Sequence, residues 1–366
     1  MNLTVSLAGS TLASGTSSIN TILSLAAYDG SSVDLTFDAS DSRGQLERVR
    51  RTVFVEGSTH LAEVAAGEGL ALDYDGHRLL FIDSTVSPAQ FIQRTVGGSD
   101  QIVPVEPNGS PSVASLSPTG VLYVAWFSGL NPTLYEWRNG SLTSLGGLSA
   151  FQVNGNFAAY SPRNSLHRRD LLTGSEILIS ASTVDVSNYY VASNGDVVFA
   201  DGRISWYREG SLSVLPSVTG ALDSHPVTDG TNVVFCRDNG SQSSIVRSDG
   251  SSEEELATIP TSACSAGSVY AANGGWIAFL KPDGAGFLQA WIRAPDGTLR
   301  QLSQFGTSSR IEALADDGAV VFRNTKRYYA TAAGAITGVS SILGKVLWRD
   351  GAFELLLGRS AFLIVP

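Results

Sequence analysis

A turn of small residues ending in Gly, followed at once by an apolar β-type run, recurs along this chain about every 40 residues. The copies are Tyr28-Asp29-Gly30, Tyr74-Asp75-Gly76, Pro118-Thr119-Gly120, Val153-Asn154-Gly155, Ser193-Asn194-Gly195, Thr228-Asp229-Gly230, Ala272-Asn273-Gly274 and Asp316-Asp317-Gly318. The runs behind them include Leu79-Leu80-Phe81, Val197-Val198-Phe199, Val233-Val234-Phe235, Ile277-Ala278-Phe279 and Val320-Val321-Phe322. Self-similarity at this period marks a stacked or circular repeat, because one such unit cannot bury its apolar face alone. Each unit carries a second Gly turn behind an aromatic or aliphatic run that often contains Arg. Examples are Tyr135-Glu136-Trp137-Arg138-Asn139-Gly140, Trp206-Tyr207-Arg208-Glu209-Gly210, Trp291-Ile292-Arg293 ahead of Gly297, and Trp348-Arg349-Asp350-Gly351. Asn-Gly and Asp-Gly suit two-residue hairpins, where the backbone takes positive φ.

One unit therefore reads strand, Gly turn, strand, loop, strand, Gly turn, strand. Four antiparallel strands per unit at this period describe a blade of an all-β propeller. No stretch of a dozen residues shows helical apolar spacing. Counting first turns gives eight blades from about residue 21 to 356, the last stretched by extra sequence from Lys326 to Gly344. Seven blades plus an N-terminal β segment is the alternative, since residues 1–65 fit the pattern least well. The whole chain, 1–366, reads as a single domain. Strand-like residues 2–8 and 361–366 are expected to pair or share one terminal blade, which closes the ring and removes a free sheet edge.

Ala192-Ser193-Asn194 followed by Gly195-Asp196-Val197-Val198-Phe199, with its sister copies, resembles the WD40-like repeats of bacterial TolB-type propellers. The resemblance runs from about residue 21 to 356 and implies the fold, and export from the cell, without implying an activity. The Gly-His and Trp-Asp signature of true WD40 blades and the Asp-box of sialidases are missing.

Composition narrows the function classes. A net charge of -10 argues against nucleic acid and against an anionic membrane surface. No apolar run approaches the roughly 18 residues that span a bilayer, so no membrane insertion is expected. The start lacks a signal-peptide pattern, and the chain reads as a mature or excised piece of a longer exported protein, extracellular, surface-bound or periplasmic. Its two cysteines, Cys236 and Cys264, fit neither a metal knuckle nor a redox pair. A bridge between adjacent repeats and two buried free thiols both remain open at this point.

Each chemical candidate has a structural counterpart. The recurring Arg94, Arg138, Arg168 or Arg169, Arg208, Arg247, Arg293 and Arg349 could form an anion-binding ring. The plainer reading is that each covers an aromatic neighbour and pairs with a nearby carboxylate. Four of the six tryptophans accompany these arginines and read as interblade packing. Trp126 and Trp276 fall outside the pattern and are the better ligand candidates, with Tyr190 and Tyr328 from two tyrosine doublets, since exposed aromatic rings stack on sugars. Of His60, His77, His167 and His225, none has metal-ligand spacing. His77 and His225 lie beside Gly turns and are the weak candidates for a catalytic base. Asp223-Ser224-His225-Pro226 gathers triad residue types, but triads assemble across a fold and no Gly-x-Ser-x-Gly elbow accompanies them. Asp38, Asp41, Asp283 and Asp316-Asp317 supply oxygens of the kind calcium takes, yet turn chemistry explains them, and no cofactor is expected.

The sequence thus favours a non-catalytic recognition or adhesion module that binds a glycan or a protein through its loops. The alternatives are a carbohydrate-active enzyme, lyase or hydrolase, with an axial site, and a structural domain of a large adhesin. A lyase needs His, Tyr and Arg within hydrogen-bond reach in one axial pocket. A lectin repeats exposed aromatics, and a structural disk pairs its arginines and buries its tryptophans.

Overall fold

The computed structural model describes residues 2–7, 10–16, 31–55, 61–87, 89–106, 109–126, 132–147, 151–162, 165–182, 184–264, 269–340, 344–349 and 351–364. Its strands form nine four-stranded antiparallel sheets. Seven follow the chain in simple up-and-down order: sheet 1 (residues 70–103), sheet 2 (110–147), sheet 3 (151–180), sheet 4 (189–214), sheet 5 (222–259), sheet 6 (270–301) and sheet 7 (310–340). Sheet 8 takes three strands from residues 345–364 and its fourth from Leu61–Ala66. The ninth sheet, residues 2–55, has a different strand order, second-first-third-fourth.

The second strand of each repeat explains the packing. Leu79–Phe81, Val197–Phe199, Val233–Phe235, Ile277–Phe279 and Val320–Phe322 are buried throughout, without the polar alternation of a one-sided sheet. Successive side chains point to opposite faces, and here both faces meet another sheet. Val197 and Phe199 pack toward sheet 3, whereas Val198 packs toward sheet 5. Val320 and Phe322 join sheet 6, and Val321 joins sheet 8. Such clusters link every consecutive pair of sheets. The cluster of Tyr74, Leu79, Phe81, Leu356 and Ala361 then joins sheet 8 back to sheet 1. This circular succession of radially stacked, four-stranded antiparallel sheets is a β-propeller.

Polar side chains tie the inner ends of neighbouring sheets. Asp73 is fully buried; its carboxylate accepts from the Leu116 N–H (2.8 Å) and Ser115 hydroxyl (2.6 Å) of sheet 2 and pairs with Arg349 of sheet 8 (2.9 Å). Asn154 donates to the Val191 carbonyl (3.3 Å), and Asn273 donates to the Leu314 carbonyl (3.1 Å), each reaching the next first strand. Asp229 accepts from the Gly275 N–H at 2.9 Å. The repeated Asn and Asp of the first turns are therefore intersheet ties as well as turn formers. Gly318 shows why the turn ends in Gly: its φ is +86°, and a Cβ there would lie 2.5 Å from the Trp276 ring of the preceding sheet.

Two sequence expectations about the ends change. The described parts of the two end segments neither pair nor share a sheet: Asn2–Leu7 pairs with Ser10–Gly15 and Ser31–Ser40, while Ser360–Ile364 pairs with Leu61–Ala66. The stretched last repeat is sheet 7 plus most of sheet 8, and Gly351 follows the first strand of sheet 8 rather than the third strand of sheet 7. The first turn, Tyr28-Asp29-Gly30, lies outside the described residues. The strand after it, Ser31–Ser40, belongs to the separate N-terminal sheet.

Cys236 and Cys264 form a disulfide. It pins the second strand of sheet 5 to the short helix Thr261–Cys264, which leads out of that sheet toward sheet 6. Closing a loop of 28 residues in the unfolded chain is worth about 3.5 kcal/mol on the loop-entropy scale. The helices described are few and short, and none is long and apolar enough to cross a membrane.

Candidate functional site

The innermost strands of sheets 2 to 8, with Asp75 and Arg78 of the first turn of sheet 1, line one cavity of about 900 Å³. Two sectors of its wall differ in chemistry. Sheets 3 to 6 contribute mostly uncharged groups, among them Gln152, Asn154, Tyr190, His225, Tyr270 and Asn273. Sheets 8 and 1 contribute charge, but the charges are paired: Arg349 with Asp73, and Arg78 with Asp75 at 2.5 Å. Arg78 also donates to the Ser117 carbonyl at 2.6 Å.

His225 is the most constrained residue of this wall. Its φ is +54°, a left-handed conformation uncommon for a side-chain-bearing residue. It sits where the register between the first and second strands of sheet 5 shifts, between Ser224 and Val227. Such bulges re-aim side chains. Both neighbouring sheets hold its backbone there. Its N–H donates to Asn188 Oδ1 of sheet 4's entry turn (3.1 Å), and its carbonyl accepts the Tyr270 hydroxyl of sheet 6 (2.5 Å). The ring Nδ1 contacts Ser224 Oγ at 2.9 Å. Burial lowers the imidazole pKa below its ordinary value, against a weaker opposing pull from Asp185, so the ring is neutral at pH 7. On the adjacent sheet 4, Tyr190 accepts from Asn154 Nδ2 at 3.1 Å, and burial raises its phenol pKa, keeping the hydroxyl protonated. The wall thus offers neutral donors and acceptors, with a half-buried imidazole among them.

Of the ligand and catalytic candidates His77, His225, Trp126, Trp276, Tyr190 and Tyr328, His225 and Tyr190 line the cavity. His77 lies in the exposed Tyr74–Arg78 turn, where its N–H donates to Asp75 at 3.2 Å. Trp126 is exposed at the end of the second strand of sheet 2, with its indole N–H on Ser112 Oγ at 3.1 Å. Trp276 packs over the Gly318 turn, and Tyr328 stacks on Phe305 and Phe322, so both serve the packing between sheets 6 and 7. The Asp223-Ser224-His225 group does not form a relay, because the Asp223 carboxylate is held by Arg237 at 2.8 Å.

The recurring arginines follow their plainer reading. Arg94 pairs with Asp100, Arg169 with Glu136, Arg247 and Arg293 with Glu254, and Arg349 with Asp73. Arg168 lies over Phe157 and Tyr207, and Arg208 over Trp206. Arg138 donates to the Leu172 carbonyl. Trp137 and Trp206 are buried. Among the described residues no group of three or more His, Cys, Asp or Glu is placed to hold a metal ion.

No family model matches this chain, and no curated protein is similar to it in sequence. Solved structures do share its shape. It superposes on dipeptidyl peptidase 4 of Porphyromonas gingivalis with a TM-score of 0.52 at 10% identity, over 81% of this chain and 57% of that one. It is also similar to TolB from Acinetobacter baumannii (TM-score 0.34, 14% identity, 76% of this chain and 78% of that one). A third likeness is to an oligogalacturonate lyase in complex with manganese (TM-score 0.39, 14% identity, 92% of this chain and 98% of that one). At such identities the likeness concerns the fold alone, and the chain spans little more than half the length of the peptidase. The class that topology and likeness define together is the β-propeller.

Proposed function

We propose that the chain is a recognition module of an exported or cell-surface protein, binding a glycan or a protein segment, without catalysis, at the axial cavity and its rim. In this reading the eight consecutive sheets are the eight blades, and residues 1–366 form one domain. The observation that carries it is the cavity wall: about 900 Å³, lined by all eight sheets, rich in amide and hydroxyl groups, with both its arginines paired to carboxylates and with Asp316 adding negative charge. That volume is typical of small-ligand sites. Neutral donors and acceptors on a rigid frame suit a polyhydroxylated or main-chain ligand better than a polyanion. The disulfide supports an oxidising compartment outside the cytoplasm.

The lyase alternative has less support. It needs a free arginine beside His and Tyr, and the arginines lining this cavity, Arg78 and Arg349, are engaged by Asp75 and Asp73. A glycan array and a library of exported-protein peptides, read beside a uronate-lyase absorbance assay, test the proposal. Binding weakened tenfold or more by Asn154→Ala or His225→Asn, with no absorbance change, is the expected result. Ligand binding indifferent to both variants would place recognition elsewhere and remove the axial site.

A further inference from the structure

Serine, histidine and a carboxylate do meet on this molecule, away from the axis. Sheet 3 carries His167 on its third strand, Leu166–Asp170, and Glu176 at the start of its fourth, Glu176–Ser180. Ser165 immediately precedes the third strand. Ser165 Oγ lies 3.0 Å from His167 Nε2, and His167 Nδ1 lies 2.7 Å from Glu176 Oε1. The two imidazole nitrogens are thus engaged by a hydroxyl on one side and a carboxylate on the other, the order in which a nucleophile, a base and its orienting acid act. A register shift between Leu166 and His167 sets the ring at this angle.

The surroundings fix the relay. The Tyr160 ring stacks on the imidazole at 5.6 Å, and its hydroxyl donates to Glu176 Oε2. Burial and the carboxylate push the Tyr160 phenol well above its ordinary pKa, so it stays a donor. Arg169, held by Glu136, faces the same Glu176 oxygen at 3.5 Å. With its second oxygen occupied, Glu176 presents Oε1 to His167 Nδ1 and selects the tautomer whose Nε2 accepts a proton. Ser165 has one proton and two acceptors, since the Pro162 carbonyl also lies 2.8 Å from its Oγ. The hydroxyl donates to that carbonyl and is satisfied without His167; turning its proton toward Nε2, 3.0 Å away, opens the proton path. Ser165 and His167 are only half-buried, so a small reagent can reach them.

We propose that Ser165, His167 and Glu176 form a nucleophilic relay that is acylated by small, uncharged, activated carboxylic esters. Ser165 Oγ adds to the ester carbonyl carbon as its proton passes to His167 Nε2. Collapse breaks the bond between the acyl carbon and the leaving oxygen, and the alcohol departs with that proton. Water then adds to the acyl-serine, giving a proton to His167 Nε2. Release of the carboxylic acid returns the proton to Ser165. Glu176 stabilises the imidazolium in both halves.

The full chain, treated with a fluorophosphonate probe and mapped by peptide mass spectrometry, tests this directly. The expected result is modification at Ser165, loss of that modification in Ser165→Ala, and labelling slowed about 100-fold in His167→Gln, the contribution of a positioned general base. Hydrolysis of p-nitrophenyl acetate should fall in the same order. Circular dichroism melts of Ser165→Ala and His167→Gln separate loss of chemistry from loss of fold. Absence of modification at Ser165 in the folded protein overturns the proposal. So does labelling at an unchanged rate in a folded His167→Gln variant, since a merely structural network gives that outcome. Neither result bears on the axial cavity.

Discussion

The two sectors of the axial wall are built differently. Between sheets 3 and 6 the chain runs continuously from sheet to sheet, and the ties at the axis are single amide or hydroxyl contacts: Asn154 to Val191, Tyr270 to His225, Asn273 to Leu314. Between sheets 8 and 1, where the C-terminal strands meet the N-terminal part of the ring, the tie is a buried charge with three groups on it. The outer strand of sheet 8, Leu61–Ala66, runs directly into sheet 1, so the chain link is the same here as elsewhere; what differs is that the inner strand of sheet 8, which carries Arg349, comes from the other end of the chain and meets sheet 1 through this charge. Removing one partner of a buried ion pair leaves an uncompensated charge, whereas removing one neutral hydrogen bond costs far less. The neutral sector is thus free to carry a site, and the charged sector ties the inner strands of sheets 8, 1 and 2 together.

The largest effect expected from breaking this contrast is at Asp73. Asp73→Ala strands Arg349 and unties sheets 8, 1 and 2, and should cost about 3–5 kcal/mol in urea or thermal unfolding. The matching change in the neutral sector, Asn273→Ala, should cost about 1 kcal/mol. Equal losses at the two sites would erase the distinction. Next comes the disulfide of the neutral sector: Cys236→Ala with Cys264→Ala should lower stability by about 3.5 kcal/mol, without moving the cavity residues apart in a ligand-binding assay. Gly318→Ala should follow at about 1–2 kcal/mol from the left-handed backbone alone, more if the Trp276 ring cannot shift, and intrinsic tryptophan fluorescence reports that displacement.

The smallest effect is a pH slope. Folding lowers the pKa of His225, so the unfolded chain binds its proton more readily. The stability this neutral ring contributes is complete above the ordinary histidine pKa and is lost as pH falls from there through the folded value. Denaturant midpoints should therefore drop as pH falls below about 6.5, and His225→Asn, which tolerates positive φ, should flatten that drop.

The strand and turn rhythm was plain in the residues because it is local. Val-Val-Phe runs behind Asn-Gly or Asp-Gly specify a strand buried on both faces, and the sheets obey. Closure was not legible, since the partner of Ser360–Ile364 is Leu61–Ala66, and no periodic pattern encodes a pairing across most of the chain. The aromatic candidates divided for a related reason. Tyr190 faces the cavity, while Trp276 and Tyr328 are absorbed into packing between sheets, which depends on what the neighbouring sheet presents. His225 drew notice as a histidine near a turn, but its bulge and left-handed backbone leave no mark in composition. The Ser165 relay could have been found by register: a hairpin around Gly174 sets Arg169 opposite Glu176, which brings His167, on the same side of the strand, within reach of that carboxylate.

The mixed origin of sheet 8 has a consequence for biosynthesis. Leu61–Ala66 leaves the ribosome almost 300 residues before Ser360–Ile364, its only strand neighbour in that sheet. At about 5–20 residues per second, the interval is roughly 15–60 s. For that time a nascent strand rich in Ala waits with both edges open, exposed to chaperones and to other copies of itself. The exposure is confined to six residues, Leu61–Ala66, and ends when Ser360–Ile364 pairs with them.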